Sequence, residues 1–223
     1  MDKKLFRDAI VKFLSGLLLV GTLLFVPAGS FSFWQAWLLL GFLFVPMFAA
    51  GLVMLRKCPE LLRKRLNMRE EQAEQKQVIE LSGLMFLAAF ILAGLNFRFG
   101  WIVMPRWASW TAAGIFLLAY LLYAEVLREN AYLSRPVEVQ EGQKVIDTGL
   151  YGIVRHPMYS ATLLLFLSMP LVLGSPLSFA ILLLYIPVIA KRIRNEEELL
   201  AEGLPGYAEY RERVKYRLIP GVW

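Results

Sequence analysis

The sequence predicts an all-α integral membrane protein, a multi-span helical bundle with four spans and a short C-terminal helical hairpin. Three observations predict it. Of 223 residues, 58% are hydrophobic and only 19% are charged, against about 45–50% and about 25% in soluble domains. The apolar residues come in long blocks. The charges lie between the blocks, and the positive ones fall almost entirely on one side.

Nearly charge-free runs cover 10–26, 31–55, 79–97 and 107–127, with 17, 25, 19 and 21 residues. About 20 apolar residues at 1.5 Å each cross a hydrocarbon core of roughly 30 Å, so each run can span. The first follows Lys3, Lys4 and Arg7, with Lys12 near its start. A basic N-terminus before an apolar run also fits a secretory signal peptide. More spans follow and no small-residue cleavage site ends the run, so it is read as a retained first helix whose Lys12 stretches to the interface. Between the second and third spans, the loop 56–77 holds Pro59, a good first helical residue. Leu61, Leu62 and Leu66 then oppose Arg63, Lys64, Arg65 and Arg69, the pattern of a helix lying on the membrane surface. A further apolar block, 158–190, is interrupted at Gly174-Ser175-Pro176. That is turn chemistry, so the block reads as a hairpin of two short helices. Lys191 to Ala201 continues the second limb out of the membrane, Gly203 and Leu204-Pro205-Gly206 break it, and Tyr207 to Val214 forms a last amphipathic helix. The chain thus divides into a transmembrane scaffold, 1–127, and a region 128–223 containing a connector, the hairpin and the tail helices.

Of 24 Lys and Arg residues, 22 lie on the side of the N-terminus, the loop 56–77, the segment 128–155 and the tail. The positive-inside rule makes that side cytoplasmic, so both termini of this multi-pass chain are expected in the cytoplasm. The net charge of +6 then reflects topology and anionic headgroups, and no nucleic-acid partner is indicated. A single cysteine, Cys58, and a single histidine, His156, exclude an intrachain disulfide. They leave no convincing four-ligand zinc set, so no metal is expected.

Two segments carry candidate chemistry. Gly149 to Tyr159 combines two glycines and a proline with Arg155, His156 and two tyrosines at the mouth of the hairpin. Irregular backbone at that depth needs partners and usually lines a cavity. A histidine satisfied by its own structure fits the same local features. Lys191 to Leu200 places Arg192 and Glu196 four apart on one helix face just outside the membrane. Its three consecutive glutamates also fit a plain solvated face.

Taken in order, these pieces resemble the isoprenylcysteine carboxyl methyltransferase family, which is related to membrane phospholipid methyltransferases. The matching residues are Val139-Gln140 with Lys144-Val145-Ile146, Gly149-Leu150-Tyr151, Arg155-His156-Pro157-Met158-Tyr159, Arg192-Ile193-Arg194-Asn195-Glu196-Glu197, and a tail with Tyr207, Tyr210, Arg213-Val214, Ile219-Pro220 and Trp223. The first half matches only in general hydropathy. The resemblance implies S-adenosyl-L-methionine as cofactor, held without a Rossmann domain in a cytoplasmic pocket capped by the tail. It implies that Gln140, Gln143, Lys144, Val145, Ile146 and Tyr151 line the pocket. His156, Pro157, Met158 and Tyr159 would hold the methionine and adenosine parts, and Glu196 would reach in from the tail helix. Arg192 falls where the family pairs an arginine with the substrate carboxylate. Leu150 replaces the usual proline, and Ala161 a common glycine.

The expected substrate is a lipid or prenylated carboxylate. A sulfonium methyl is already activated and a carboxylate of pKa roughly 4 is already ionised at neutral pH, so no general base is required. An amine substrate would need a neutral nitrogen or a base, which favours O-methylation over phospholipid or amine N-methylation, although Glu196, Glu197 and Glu198 could serve an amine. A sterol-type reductase, whose C-terminal half resembles this family and binds NADPH, and a non-enzymatic transporter or scaffold are the other readings.

The topology has a direct check in Cys58, beside Arg56 and Lys57. A membrane-impermeant maleimide is expected to label it in inverted vesicles and not in intact cells. Labelling from outside overturns the orientation.

Overall fold

A computed structural model describes residues 3–66, 73–133 and 139–223. Arg69, expected on the surface helix, lies outside them. Nine α-helices occur among the described residues: α1 (Lys3–Ala28), α2 (Trp34–Lys57), α3 (Pro59–Leu66), α4 (Ala73–Phe99), α5 (Arg106–Glu129), α6 (Pro157–Val172), α7 (Pro176–Leu183), α8 (Tyr185–Gly203) and α9 (Tyr207–Arg213), with a 3-10 turn at Gly149–Gly152. Among the described residues, five stretches are long and apolar enough to cross a membrane: the four expected and Pro176–Gly203. Large side chains such as Leu18, Val26, Val45, Leu84 and Leu121 stand fully outward. In water such a surface would be an aggregation liability; around a membrane bundle it is the lipid-facing surface. Trp37, Trp101, Trp107 and Trp110 are exposed around the ends opposite the basic loops, as an interfacial aromatic belt requires.

The core lies between α1, α2, α4, α5 and α6. Leu24, Phe33, Leu39, Phe116 and Val172 are sealed in it with Ala36, Ala93, Ala112, Ala113 and Ala119. Since lipid tails are as apolar as leucine, close packing across small residues drives such association. The closest approach is at Gly94 of α4. A Cβ there would stand 2.6 Å from the Leu24 carbonyl oxygen and 3.0 Å from the Ala28 nitrogen of α1.

The hairpin turns where the sequence placed it. Gly174 has φ of +69°, the Ser175 side chain accepts from the Ser178 N–H to cap α7, and Ser178 Oγ donates to the Ala89 carbonyl at 2.7 Å. Asn96 Nδ2 donates to the Gly174 carbonyl at 3.4 Å, so the tip is seated against α4. The two limbs are unequal. At 16 residues α6 is about 24 Å long, short of the roughly 30 Å core. The return limb runs on through α7 and α8 without stopping at residue 190, and tightens once, at Leu184. Pro187 explains the break, because it has no N–H for the carbonyl of Leu183.

Gly94→Ala is expected to lower the unfolding midpoint in detergent, at a cost of about 1–3 kcal/mol for backbone overpacking. Gly41→Ala, where nothing lies within 4 Å of the added carbon, should change it little. Equal midpoints would contradict the α1–α4 crossing.

Candidate functional site

Residues distant in sequence meet where α6 begins and α8 leaves the bundle. Pro157 starts α6, with His156 at the N-cap and no side-chain cap bond. The loop before it is held by the tail. Arg155 N–H donates to the Tyr216 carbonyl and His156 N–H to the Arg217 carbonyl, both at 2.9 Å. Ser160 Oγ donates to the Leu218 carbonyl at 2.8 Å. The tail strap, residues 214–223, in turn closes on itself, with the Trp223 carbonyl accepting from the N–H groups of Arg217, Leu218 and Ile219.

Glu197 ties these parts together. It is 2% exposed, and it accepts from Arg155 Nε at 2.7 Å, Arg217 Nε at 2.8 Å and His156 Nε2 at 3.2 Å. Arg155 also donates to the carbonyls of Val214 and Lys215 at 2.7 and 2.8 Å. A buried charge is tolerable when paired and hydrogen-bonded in this way.

One turn of side chains away, a second chain of bonds runs along the wall. Arg192 Nε donates to the Tyr159 hydroxyl at 2.9 Å, and that hydroxyl donates to Glu196 Oε2 at 2.5 Å. The neighbours Arg192 and Glu196 are therefore bridged by a tyrosine from α6. His156 Nδ1 lies 3.8 Å from Glu196 Oε1, so the histidine is both a cleft residue and a member of the Glu197 network.

A polar cleft opens beside this wall. Of the residues expected from the sequence, Gln143, Lys144, Val145, Ile146, Tyr151, His156, Met158, Tyr159, Arg192 and Glu196 line it. Gln140 and Pro157 stand outside the lining. The Gln140 amide instead shapes the connector: its Oε1 accepts from Lys64 Nζ at 2.6 Å and its Nε2 donates to the Tyr132 carbonyl at 2.5 Å. Gln140 N–H donates to Gln143 Oε1 at 2.9 Å. Lys64 belongs to α3, so the surface helix is pinned to the cleft loop.

Sequence reasoning missed Asn130, Tyr132, Arg155, Tyr207 and Tyr210, which also line the cleft. Arg155 was visible inside the histidine motif, and the two tail tyrosines among the matching residues. Nothing local marked Asn130, whose Nδ2 donates to the Tyr151 hydroxyl at 3.0 Å. Tyr210 donates to the Tyr151 carbonyl at 2.7 Å, and Arg213 pairs with Asp147, so α9 is latched over the connector. Gly149 has φ of +54°, and a Cβ there would collide with the Glu129 carboxylate. Leu150 lies in the 3-10 turn, and Ala161 is buried in α6 at 1% exposure.

Below the cleft lies a larger apolar cavity among α1–α6 and α8. Counting space open to solvent, the cleft has about 830 Å³ and the cavity about 2490 Å³. Phe13, Met47, Phe48, Phe86, Phe166 and Met169 are among the cavity walls, and Leu62, Arg65 and Leu66 of α3 border it. Its charged lining residues are Lys12, Arg65 and Arg192, with no Asp or Glu among the described ones. Met158, Tyr159 and Arg192 line both spaces.

The cleft combines aromatic side chains with charges of both signs. Tyr132, Tyr151, Tyr207 and Tyr210 supply aromatic lining, Glu196 a partly exposed carboxylate that suits an ammonium group, and Lys144 a cation that suits a carboxylate. Ring faces also attract a cationic centre. No group of three or more His, Cys, Asp or Glu side chains placed to hold a metal occurs among the described residues.

Glu197→Ala should cost about 3–5 kcal/mol, because Arg155 would stay buried without its carboxylate. The unfolding midpoint should fall, and trypsin should cut at Lys215 and Arg217 in the loosened tail. Glu196→Ala should have a much smaller effect on both. A tail that stays protected in Glu197→Ala refutes this role.

Comparison with known proteins bears on the same region. A delta(14)-sterol reductase of Methylotuvimicrobium alcaliphilum is 28% identical over 93 residues, covering 40% of this chain and 22% of its own length. A delta(14)-sterol reductase of Mus musculus is 33% identical over 85 residues, covering 37% and 20%. Protein-S-isoprenylcysteine O-methyltransferase B of Arabidopsis thaliana is 29% identical over 109 residues, covering 44% and 55%. The chain thus spans between a fifth and just over half of the length of these relatives. Residues 110–202 match the model of the isoprenylcysteine carboxyl methyltransferase (ICMT) family. That stretch runs from α5 through the cleft nearly to the end of α8, so the similarity to this family covers the cleft-forming part of the chain.

Proposed function

We propose that this protein is an S-adenosylmethionine-dependent methyltransferase that esterifies the carboxylate of an isoprenylcysteine or a similar lipid acid at the cytoplasmic face. One observation carries the reading: Met158, Tyr159 and Arg192 form a common wall between a polar cleft and an apolar cavity. Transfer between a water-soluble nucleoside donor and a lipid acceptor needs two such compartments in contact. The ICMT-family match over 110–202 supports the same assignment.

S-adenosylmethionine, held in the cleft, would supply a methyl group on a sulfonium that is already activated for transfer to a carboxylate oxygen. The chain's own residues bind, orient and exclude water. Gln143 to Ile146 with Tyr132 and Tyr151 form the nucleoside walls, and Glu196 faces the amino-acid end. Arg192 holds the lipid carboxylate at the common wall, its orientation fixed by the Tyr159 hydroxyl. A guanidinium fork suits a carboxylate because it grips both oxygens. The cavity lining is cationic, with no carboxylate among its described residues. That favours an anionic headgroup over an amine, which would need a base beside it.

Two relatives are sterol reductases, which gives a reductase the second place. The two readings separate on the cofactor. The purified protein is expected to bind adenosylhomocysteine and not NADPH, and to methylate a prenylcysteine acid; the reverse binding preference sinks the proposal.

Arg192 gives the sharper test. Arg192→Lys keeps the charge and loses the planar fork, so both it and Arg192→Ala should lose methyl transfer by roughly ten- to a hundredfold. Adenosylhomocysteine affinity should change little. If Arg192→Lys stays nearly active, or if Arg192→Ala weakens cofactor binding as much as Glu196→Ala does, the arginine is only a helix support.

A further inference from the structure

Five tyrosines line the cleft: Tyr132, Tyr151, Tyr159, Tyr207 and Tyr210. Four hydroxyls have protein partners. Tyr132 donates to the Gly142 carbonyl, Tyr151 accepts from Asn130, Tyr159 joins Arg192 to Glu196, and Tyr210 donates to the Tyr151 carbonyl. The fifth, Tyr207, is 4% exposed, and its hydroxyl oxygen is sealed from solvent with no partner among the described residues.

A buried phenol left unpaired costs free energy that a phenylalanine would avoid. The surroundings would accept the plain ring, since Tyr207 packs with Leu204, Tyr210, Val139, Val145 and Leu200. Gly206, with φ of +84°, lets the chain turn sharply into α9 and presents Tyr207 as that helix's first residue. Burial, and after it the charges of Glu197 and Glu196, push the hydroxyl above its ordinary range, so at neutral pH it keeps its proton. Both carboxylates already accept from other donors: Glu197 from Arg155, His156 and Arg217, and Glu196 from Tyr159.

From this we infer that the Tyr207 hydroxyl donates a hydrogen bond to the nucleoside cofactor in the cleft. The inference rests on the cofactor assignment proposed above. It makes Tyr207 a binding residue contributed by the tail, so that closure of α9 over the connector and completion of the cofactor site are one event.

The test compares Tyr207→Phe and Tyr210→Phe with the unaltered full-length protein in detergent, reading the unliganded melting midpoint and calorimetric adenosylhomocysteine affinity. Tyr207→Phe should leave the unliganded midpoint unchanged or raised while weakening adenosylhomocysteine binding roughly three- to tenfold. Tyr210→Phe, which removes a bond within the protein, should lower the unliganded midpoint. If Tyr207→Phe binds adenosylhomocysteine like the unaltered protein, or melts lower without it, the hydroxyl serves the fold or a bound water and the inference fails. If the unaltered protein binds no adenosylhomocysteine, the proposed function fails instead, whatever the variants do.

Discussion

Glu197 receives three side chains that come from three different places in the chain: Arg155 from the loop before α6, His156 from the α6 N-cap, and Arg217 from the tail. The tail has little hydrophobic packing, chiefly Leu218 and Trp223 against Tyr159, Ile189 and Ile193. The tail after α9 is ten residues with few buried side chains, Val214 and Leu218 among them. What keeps it in place is a set of carbonyls bonded to the Arg155–His156 backbone and to the Arg155 guanidinium. That guanidinium is aimed by Glu197. A buried ion pair of this kind is weak evidence for net stability, since desolvation offsets most of the attraction. Its use here is geometric: it fixes which strap of chain covers the cleft.

The position of that strap follows from the lengths of the two hairpin limbs. With the tip seated against α4, the 16 residues of α6 fall short of a full crossing, while α7 and α8 together run 28 residues to Gly203. The irregular segment before Pro157 is thereby drawn toward the bundle, and α8 passes beside it with Arg192 and Glu196 one turn apart. Cleft and cavity meet there. A lipid held among α1–α6 would have its polar end at the same level as a soluble ligand held under α9. The helix α3 borders the cavity with Leu62 and Leu66. It also reaches the cleft loop through the Lys64–Gln140 bond, so the two spaces share a roof as well as a wall.

Much of this was legible in the sequence. Hydropathy finds spans reliably because backbone groups in lipid must be satisfied within the segment. Gly-Ser-Pro at 174–176 marked the turn, and Pro59 marked α3. The cleft segment announced itself by packing two glycines, a histidine and a proline into a mouth between apolar blocks. The roles of Glu196 and Glu197 were less readable. Adjacent positions on a helix point about 100° apart, and periodicity alone does not say which of them faces the protein. Glu196, four from Arg192, drew attention as a direct i, i+4 partner. In the fold the Tyr159 hydroxyl stands between the two, and Glu197 turns inward to collect the arginines. Long-range partners such as Asn130 and Lys64 leave no local mark, because a polar residue at the end of a span is expected whether or not it touches anything.

The apolar cavity was invisible for a related reason. Its walls are Phe, Met and Leu side chains spaced as core residues would be, and a helix lining a void has the same pattern as one packed against a neighbour. What distinguishes the two is whether opposing helices close the gap. Tyr120 and Leu165 mark the difference. The Tyr120 hydroxyl donates to the Leu43 carbonyl at 2.7 Å, joining α5 to α2, and Leu165 packs into the main core from α6. Both residues nevertheless line the cavity. The bundle is thus tightly packed on the side of the hairpin tip and left open on the basic side, where α6 walls the cavity from Met158 to Met169. The unequal hairpin accounts for the recessed histidine loop, and the tail then covers the cleft that this loop opens beside α8.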